Sequence, residues 1–295
     1  MLRTRIVTAV VLLSGLLAAL FYLPTLVWAG FCALICALAA WEWGGLAGWS
    51  RNARIVYGFV LGCLCFVPVF LMLVVLREAR LGTTEGAVFV FLLLFLLALF
   101  LLAGFFWLLV VPLWLCRKWP LRGWATALVG IIVLVPATLI FIALRESDDV
   151  PLALLIVCAL AWVADIAAYF SGRMFGGKKL APNISPGKTW AGAIGAVIGV
   201  LVYCNVVLFV AGSGENNMSF VTAIENPLLL QLVFIGLAVW SIIGDLFESL
   251  LKRQAGVKDS SNLLPGHGGI LDRVDSLVST LTLLGFIIAL KIVFS

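Results

Sequence analysis

From Ser249 to Ser276 the chain reads SLLKRQAGVKDSSNLLPGHGGILDRVDS. Three acids (Asp259, Asp272, Asp275), four bases (Lys252, Arg253, Lys258, Arg273), the sole histidine (His267) and a Pro-Gly-His-Gly-Gly turn fall within those 28 residues. Asp245 and Glu248 lie just upstream, in apolar sequence. Carboxylates spaced to share a metal, next to cations spaced to hold phosphate, point to phosphoryl or nucleotidyl transfer. A solvated loop whose bases set membrane topology would account for the bases as well, but not for the acids.

Four acids fall in or at the edge of apolar runs: Glu42, Asp165, Asp245 and Glu248. At bilayer depth each costs roughly 2.5–3.5 kcal/mol on insertion scales unless it is paired, hydrated or bound to a cation. Glu42 sits among Trp41, Trp43 and Gly44 near a helix end, where interfacial anchoring explains it equally well. Asp245 and Glu248, three apart, share a helix face, and Lys252 four residues on is a ready partner for Glu248. Asp272 and Asp275 are also three apart. If the last helix extends back through them, Asp245 and Asp272 approach from two neighbouring helices, an arrangement suited to magnesium. Pairing of these aspartates with Arg273 is the plainer alternative. The glycines of the Pro265–Gly269 turn permit positive φ and close approach to a ligand. His267 is open between phosphate donor, general acid and turn stabiliser.

A second polar stretch, Ser171 to Lys188, ends in Ser185-Pro186-Gly187-Lys188-Thr189. It resembles the end of a Walker A motif without being one: Pro182 stands where a glycine is required, and no strand is expected before it. Ser185, Lys188 and Thr189 still lie at a helix start, where backbone N–H groups and a lysine favour an anion. Arg173, Lys178 and Lys179 read as topology charges.

These residues must be positioned by membrane helices. Of 295 residues, 64% are hydrophobic and 11% charged, and the mean hydropathy is +1.22. That composition excludes an ordinary soluble domain and indicates an all-α polytopic membrane protein. Nine apolar runs are expected, at about 6–22, 25–46, 55–76, 87–115, 124–144, 151–170, 189–212, 227–251 and 277–294. The fourth exceeds the ~20 residues needed to span, so it is tilted, kinked at Pro112 or continued outside the bilayer. With the N-terminus cytoplasmic and the C-terminus outside, 15 of the 19 lysines and arginines fall on the cytoplasmic side and four (Arg77, Arg80, Arg145, Lys291) on the other. The net charge of +5 therefore requires no nucleic-acid partner. Residues 1–150 form an N-terminal region of about five spans. Residues 151–295 form a catalytic region with cytoplasmic loops at 171–188 and 252–276. The seven cysteines lack the neighbours a zinc site needs and read as packing residues.

The stretch 249–275 fits the pattern S-x-x-K-R-x4-K-D-x-S-x-x-L-P-G-H-G-G-x-x-D-R-x-D throughout. It resembles the phosphatidate cytidylyltransferase (CDP-diacylglycerol synthase) family. Ala164-Asp165, Ala168-Tyr169-Phe170, Gly172-Arg173, Phe175-Gly176, Lys179 to Pro182 and Ser185 to Trp190 are similar to that family's second motif. The likeness covers the chain from about residue 160. Many members carry a lysine at the position of Gly187, and an acid or amide at that of Ala191. The resemblance implies that CTP and phosphatidic acid give CDP-diacylglycerol and pyrophosphate at the cytoplasmic face of a bacterial inner membrane. It implies Mg²⁺, with K⁺ as a second cation. Asp245, Asp272 and Asp275 would be metal ligands or their supports. Ser185, Lys188, Thr189, Lys252, Arg253 and Lys258 would serve the phosphates, with Arg273 beside them. Asp165 would organise the nucleotide region, and His267 with its glycines would shape the loop. For the first five spans a homodimer contact and a lipid-entry groove are both open.

Two rivals follow from the same residues. A polyprenyl-phosphate glycosyl-phosphate transferase would share the magnesium logic but not the K-D…H-G-G…D-R-x-D run. A cation-coupled transporter would use Asp165, Asp245 and Glu248 as an ion path, which requires acids near mid-membrane rather than toward one face.

Overall fold

The computed structural model describes residues 2–80, 86–121, 123–146, 151–212, 221, 224 and 226–294, with backbone alone at 2–6 and 78–80. Arg122 and the side chains of Arg3, Arg5 and Arg80, which entered the charge tally, lie outside the described residues. The elements in order are α1 (Leu2–Tyr22), α2 (Thr25–Leu46), α3 (Arg51–Arg80), α4 (Gly86–Phe105), α5 (Val111–Arg117), α6 (Ala125–Arg145), α7 (Leu152–Phe175), β1 (Lys179–Ala181), β2 (Ser185–Thr189), α8 (Trp190–Gly212), α9 (Pro227–Gln254) and α10 (Leu271–Phe294). Among the described residues, eight helical passes are long and apolar enough to cross a membrane. The apolar part of α1, Val7–Tyr22, is shorter. With α1 included, the helices match the nine expected runs one for one. The protein is an all-α polytopic membrane protein carrying one small hairpin.

The long fourth run is a single pass. One π-helical turn, Phe106–Val110, joins α4 to α5. Pro112 comes just after Val111 and lacks the N–H that would bond back four residues. A local change to five-residue spacing, with Val111 N–H donating to the Phe106 carbonyl, absorbs that gap without ending the helix.

Helix α10 is the hub. It packs against α9, α6 and α4, and more lightly against α7 and α2. Regions 1–150 and 151–295 therefore share one core. Its buried side chains include Ser276, Ser279, Thr280 and Thr282. Three of these hydroxyls donate to carbonyls: Thr280 and Thr282 one turn back, at 2.7 and 2.8 Å, and Ser279 across to Trp240 of α9 at 2.8 Å, while Ser276 donates to the Asp165 carboxylate. In a membrane such pairing is what allows polar residues inside a bundle.

Hydrogen bonds sort the connections into two ends. At one end Gln254 donates to the carbonyls of Lys118 and Trp119, Trp43 to that of Thr126, and Thr8 to that of Pro265. At the other, Arg145 donates to the carbonyls of Leu20 and Leu23, and Thr25 to Glu146 at 2.8 Å. Both polar stretches singled out above lie at the first end.

Those stretches are more ordered than loops. Residues 171–175 continue α7, and β1 and β2 pair antiparallel, Lys179 with Thr189 and Ala181 with Ser185, across a bulge. A turn over Pro182-Asn183, closed by Ile184 N–H on the Ala181 carbonyl, makes the hairpin possible. The sequence reading expected no strand before the motif; β1 stands there, and the motif itself is β2. The second loop shrinks to residues 255–270, because α9 runs to Gln254 and α10 starts at Leu271.

Close approach of α9 to α10 requires Gly244. A Cβ there would lie 2.2 Å from Ser279 Oγ and 2.7 Å from the Asp275 carbonyl. Gly244→Val is expected to lower stability in detergent by about 1–3 kcal/mol, the usual cost of overpacking. Gly236→Val, on the same helix with open space at its Cβ position, leaves the thermal midpoint unchanged.

Candidate active site

Three helices, the hairpin and one loop deliver the polar residues. α7 carries Asp165, the hairpin Ser185, Lys188 and Thr189, and α9 Asp245, Glu248, Lys252 and Arg253. The first turns of α10 carry Asp272, Arg273 and Asp275. Lys258 and His267 come from the 255–270 loop.

The acids divide into two groups. In the first, Lys188 Nζ lies 2.6 Å from Asp245 Oδ2 and 3.4 Å from the Ile242 carbonyl. Ser249 donates to Asp245 Oδ1 at 3.2 Å, and Ser276 to Asp165 Oδ2 at 3.4 Å. Asp165 and Asp275 each lie within electrostatic reach of both Asp245 and Lys188. In the second group, Lys252 Nζ is held between Glu248 Oε2 at 2.5 Å and Asp272 Oδ1 at 2.6 Å. Asp272 Oδ2 accepts from the Ser260 N–H (2.8 Å), the Ser260 hydroxyl (3.0 Å) and the Gly269 N–H (2.8 Å). The pairing of Glu248 with Lys252 is as its spacing suggested. Glu248 itself is 6% exposed, and among the described residues no hydrogen-bond donor is aligned on either oxygen. Lys252 is committed to two carboxylates, not turned toward a phosphate.

Beside these groups the 255–270 loop encloses a cavity of about 530 Å³. Lys258, His267 and Arg273 bring positive or donor groups to its wall, with Asp259 and Asn262. Among the described residues neither Lys258 nor Arg273 is ion-paired, so both can meet an incoming anion. The Pro-Gly-His-Gly-Gly turn forms one wall. His267 N–H donates to the Leu264 carbonyl at 2.9 Å, and Leu264 N–H to that of Gly268 at 2.8 Å. Gly266 and Gly268 take φ of 77° and 81°, which other residues rarely adopt. Among the described residues the buried Nδ1 of His267 has no hydrogen-bond partner.

The hairpin serves structure as well as chemistry. Thr189, 6% exposed, accepts from Gly192 N–H at 3.1 Å and so caps the start of α8. Arg253 Nε and Nη1 donate to the carbonyls of Ile184 and Val257, both at 3.4 Å, tying the hairpin tip to the end of α9.

Residues 3–291 match the model of the cytidylyltransferase family. This chain belongs to the cytidylyltransferase family. It is 37% identical over 288 residues to a phosphatidate cytidylyltransferase of Pseudomonas aeruginosa, covering 95% of this chain and 94% of the relative. It is 35% identical over 290 residues to one from Haemophilus influenzae, covering 95% and 96%. A Brucella suis phosphatidate cytidylyltransferase is 36% identical over 295 residues, covering 96% and 92%. The similarity thus extends through the N-terminal half, beyond the part that carries the motifs.

For a cytidylyltransferase the question is what the acids can hold. Among the described residues, no three His, Cys, Asp or Glu side chains close around a metal position. The expected trio Asp245, Asp272 and Asp275 is therefore not gathered into one cage. Magnesium does not need one, because it keeps waters and substrate phosphates beside one or two carboxylates. The group around Asp245 has that chemistry: hard oxygen donors, and an ammonium already standing as cation beside Asp245. Asp272 differs, since Lys252 and loop donors occupy both its oxygens.

The sequence reading undervalued Glu42. This residue is 0% exposed, and both its oxygens accept hydrogen bonds from residues 260–271. Its flanking tryptophans suggested the interface. The only available signal was the acid itself in an apolar run.

Lys252→Met strands Glu248 and Asp272 without their shared cation. It is expected to cost about 3–5 kcal/mol, as removal of one member of a buried ion pair does. Thermal unfolding in detergent checks this. The double variant Glu248→Gln/Lys252→Met recovers part of the loss, since one of the two stranded carboxylates is then neutral.

Proposed function

We propose that this cytidylyltransferase makes CDP-diacylglycerol and pyrophosphate from CTP and phosphatidic acid. A phosphate oxygen of the lipid attacks the α-phosphorus of CTP, the bond from that phosphorus to the bridging oxygen of the β-phosphate breaks, and pyrophosphate leaves. Such chemistry asks mainly for positioning and charge neutralisation. The observation that carries this reading is the juxtaposition of an acid group and a cationic cavity at one end of the bundle, where helix ends meet the headgroup level.

The residues divide the work. Lys258 and Arg273, unpaired on the cavity wall, hold phosphate oxygens, and His267 supplies a donor from the turn. Lys188, at the edge of the acids, reaches a phosphate bound beside Asp245. Ser185 and Arg253 keep the hairpin edge polar and close to the nucleotide. Lys252 acts through Asp272, whose position it sets. Magnesium, when bound, neutralises charge developing on the phosphates. Asp245 with Asp275 would hold it, Asp165 supporting them, and Asp272 would join only by releasing Lys252 or a loop amide. Potassium would be a second cation at the same acids. The positive-inside bias supports placing this end on the cytoplasmic side of a bacterial inner membrane, where CTP is available. A transporter is disfavoured because Asp245 and Glu248 lie in the last turns of α9 rather than along a path through it.

The test is CTP-dependent pyrophosphate release by purified protein in detergent, with phosphatidic acid and Mg²⁺. Wild type is expected to turn over, and a chelator to abolish this until Mg²⁺ is restored. Asp245→Asn loses about 10²–10³-fold in kcat, the scale of removing one charge-stabilising group. A wild type inactive across a range of Mg²⁺ and K⁺ overturns the substrate assignment.

A further inference from the structure

We propose that Glu42, on α2 in the N-terminal half, is a positioning residue for cytidylyl transfer that holds the 260–271 segment over the site. This rests on the activity proposed above. Glu42 is separated from its partners by 218 to 229 residues of sequence. Its Oε1 accepts from the Ser261 hydroxyl at 2.6 Å and the Ile270 N–H at 2.9 Å. Its Oε2 accepts from the Ser260 hydroxyl at 3.0 Å and the Leu271 N–H at 2.8 Å. Two donors thus come from the start of the segment and two from its end, where α10 begins. One carboxylate pins both ends, and the Pro-Gly-His-Gly-Gly turn between them becomes a closed loop. Residues of that loop, His267 among them, form the cavity wall.

The clamp connects directly to the acids. Ser260 Oγ lies 3.0 Å from Glu42 Oε2 and also 3.0 Å from Asp272 Oδ2. One hydroxyl proton serves one carboxylate at a time, so Ser260 couples the two. Gly269 shows how tightly the parts are fitted. A Cβ there would lie 2.0 Å from Ser260 Oγ and 2.6 Å from each Glu42 oxygen. The second glycine of His-Gly-Gly is therefore required by Glu42 and Ser260, not by backbone conformation. The negative charge also faces the N-terminus of α10, where free N–H groups favour it. Among the described residues the hydrogen-bond partners of Glu42 are Ser260, Ser261, Ile270 and Leu271, none of them on the cavity wall or in the Asp245 group, so it acts through the loop.

Glutamine cannot replace it. A carboxamide offers one acceptor oxygen and one donor nitrogen, and the nitrogen would face two of the four donors.

The test uses the full chain in detergent as wild type, Glu42→Gln and Ser261→Ala. It reads CTP saturation kinetics with phosphatidic acid and backbone amide exchange across the protein. Glu42→Gln is expected to lose about 10–100-fold in kcat/KM, and Ser261→Ala about 3–10-fold, as buried hydrogen bonds to a charge are lost. Exchange should rise about tenfold or more across 260–271, while α6 and most of α9 keep wild-type rates. That localisation distinguishes positioning from general destabilisation. A Glu42→Gln kcat/KM within twofold of wild type overturns the proposal, as does faster exchange spread evenly over all helices. If Glu42→Gln does not fold, Ser261→Ala decides by the same two readouts. If wild type itself fails to turn over CTP, the activity assignment falls, and the exchange pattern alone decides whether Glu42 holds the loop.

Discussion

An ionised carboxylate taken out of water inside a membrane bundle survives only where donors or cations surround it. Among the described residues three buried acids meet that condition, two of them by reaching across elements. Glu42 of α2 draws on the loop and on α10. Asp272 of α10 draws on the loop and on α9. Glu248 has Lys252 of its own helix, which it shares with Asp272. Since Lys252 serves both Glu248 and Asp272, and the loop serves both Asp272 and Glu42, satisfying the charges fixes α2, α9, α10 and the 255–270 loop relative to one another. The rest of the site depends on that arrangement.

It also separates two kinds of charge. Lys252 and Glu248 are consumed by structure: they are buried, mutually neutralised and in place before any substrate arrives. Lys258 and Arg273, on the cavity wall, have no carboxylate to neutralise them among the described residues. A nucleotide therefore meets preset cations and does not have to break existing pairs there. Lys188 is intermediate, paired with Asp245 yet partly exposed at 24% of its side chain. Preorganisation of this kind suits phosphoryl-group chemistry, in which fixed charge does most of the work.

The N-terminal half gains a role in this picture. Apolar throughout and without recognisable motifs, it could be taken for a membrane anchor. Instead α10 is packed against α4 and α6, and the loop hangs from α2. The π turn at Pro112 keeps the fourth pass continuous, so that Phe106 and Trp107 can pack edge-on against Phe247 of α9, beside Glu248. Similarity to phosphatidate cytidylyltransferases along nearly the whole chain accords with one unit rather than a catalytic half on a passive support.

Composition and spacing alone determined the polytopic helical class and the positions of the nine runs, because apolar segments near 20 residues have few other solutions in water or lipid. They also determined the Glu248–Lys252 pair, whose partners are one helical turn apart; the family was legible through the resemblance of a 27-residue pattern to a known one. Tertiary structure decided what depends on distant residues: that Asp272 faces Lys252 and the loop while Asp275 faces Asp245, that Thr189 caps α8, and that 179–189 is a hairpin. It alone revealed the partners of Glu42, four donors more than 200 residues away. Local periodicity records which face of a helix a residue occupies. It carries no record of what that face will meet once the bundle closes.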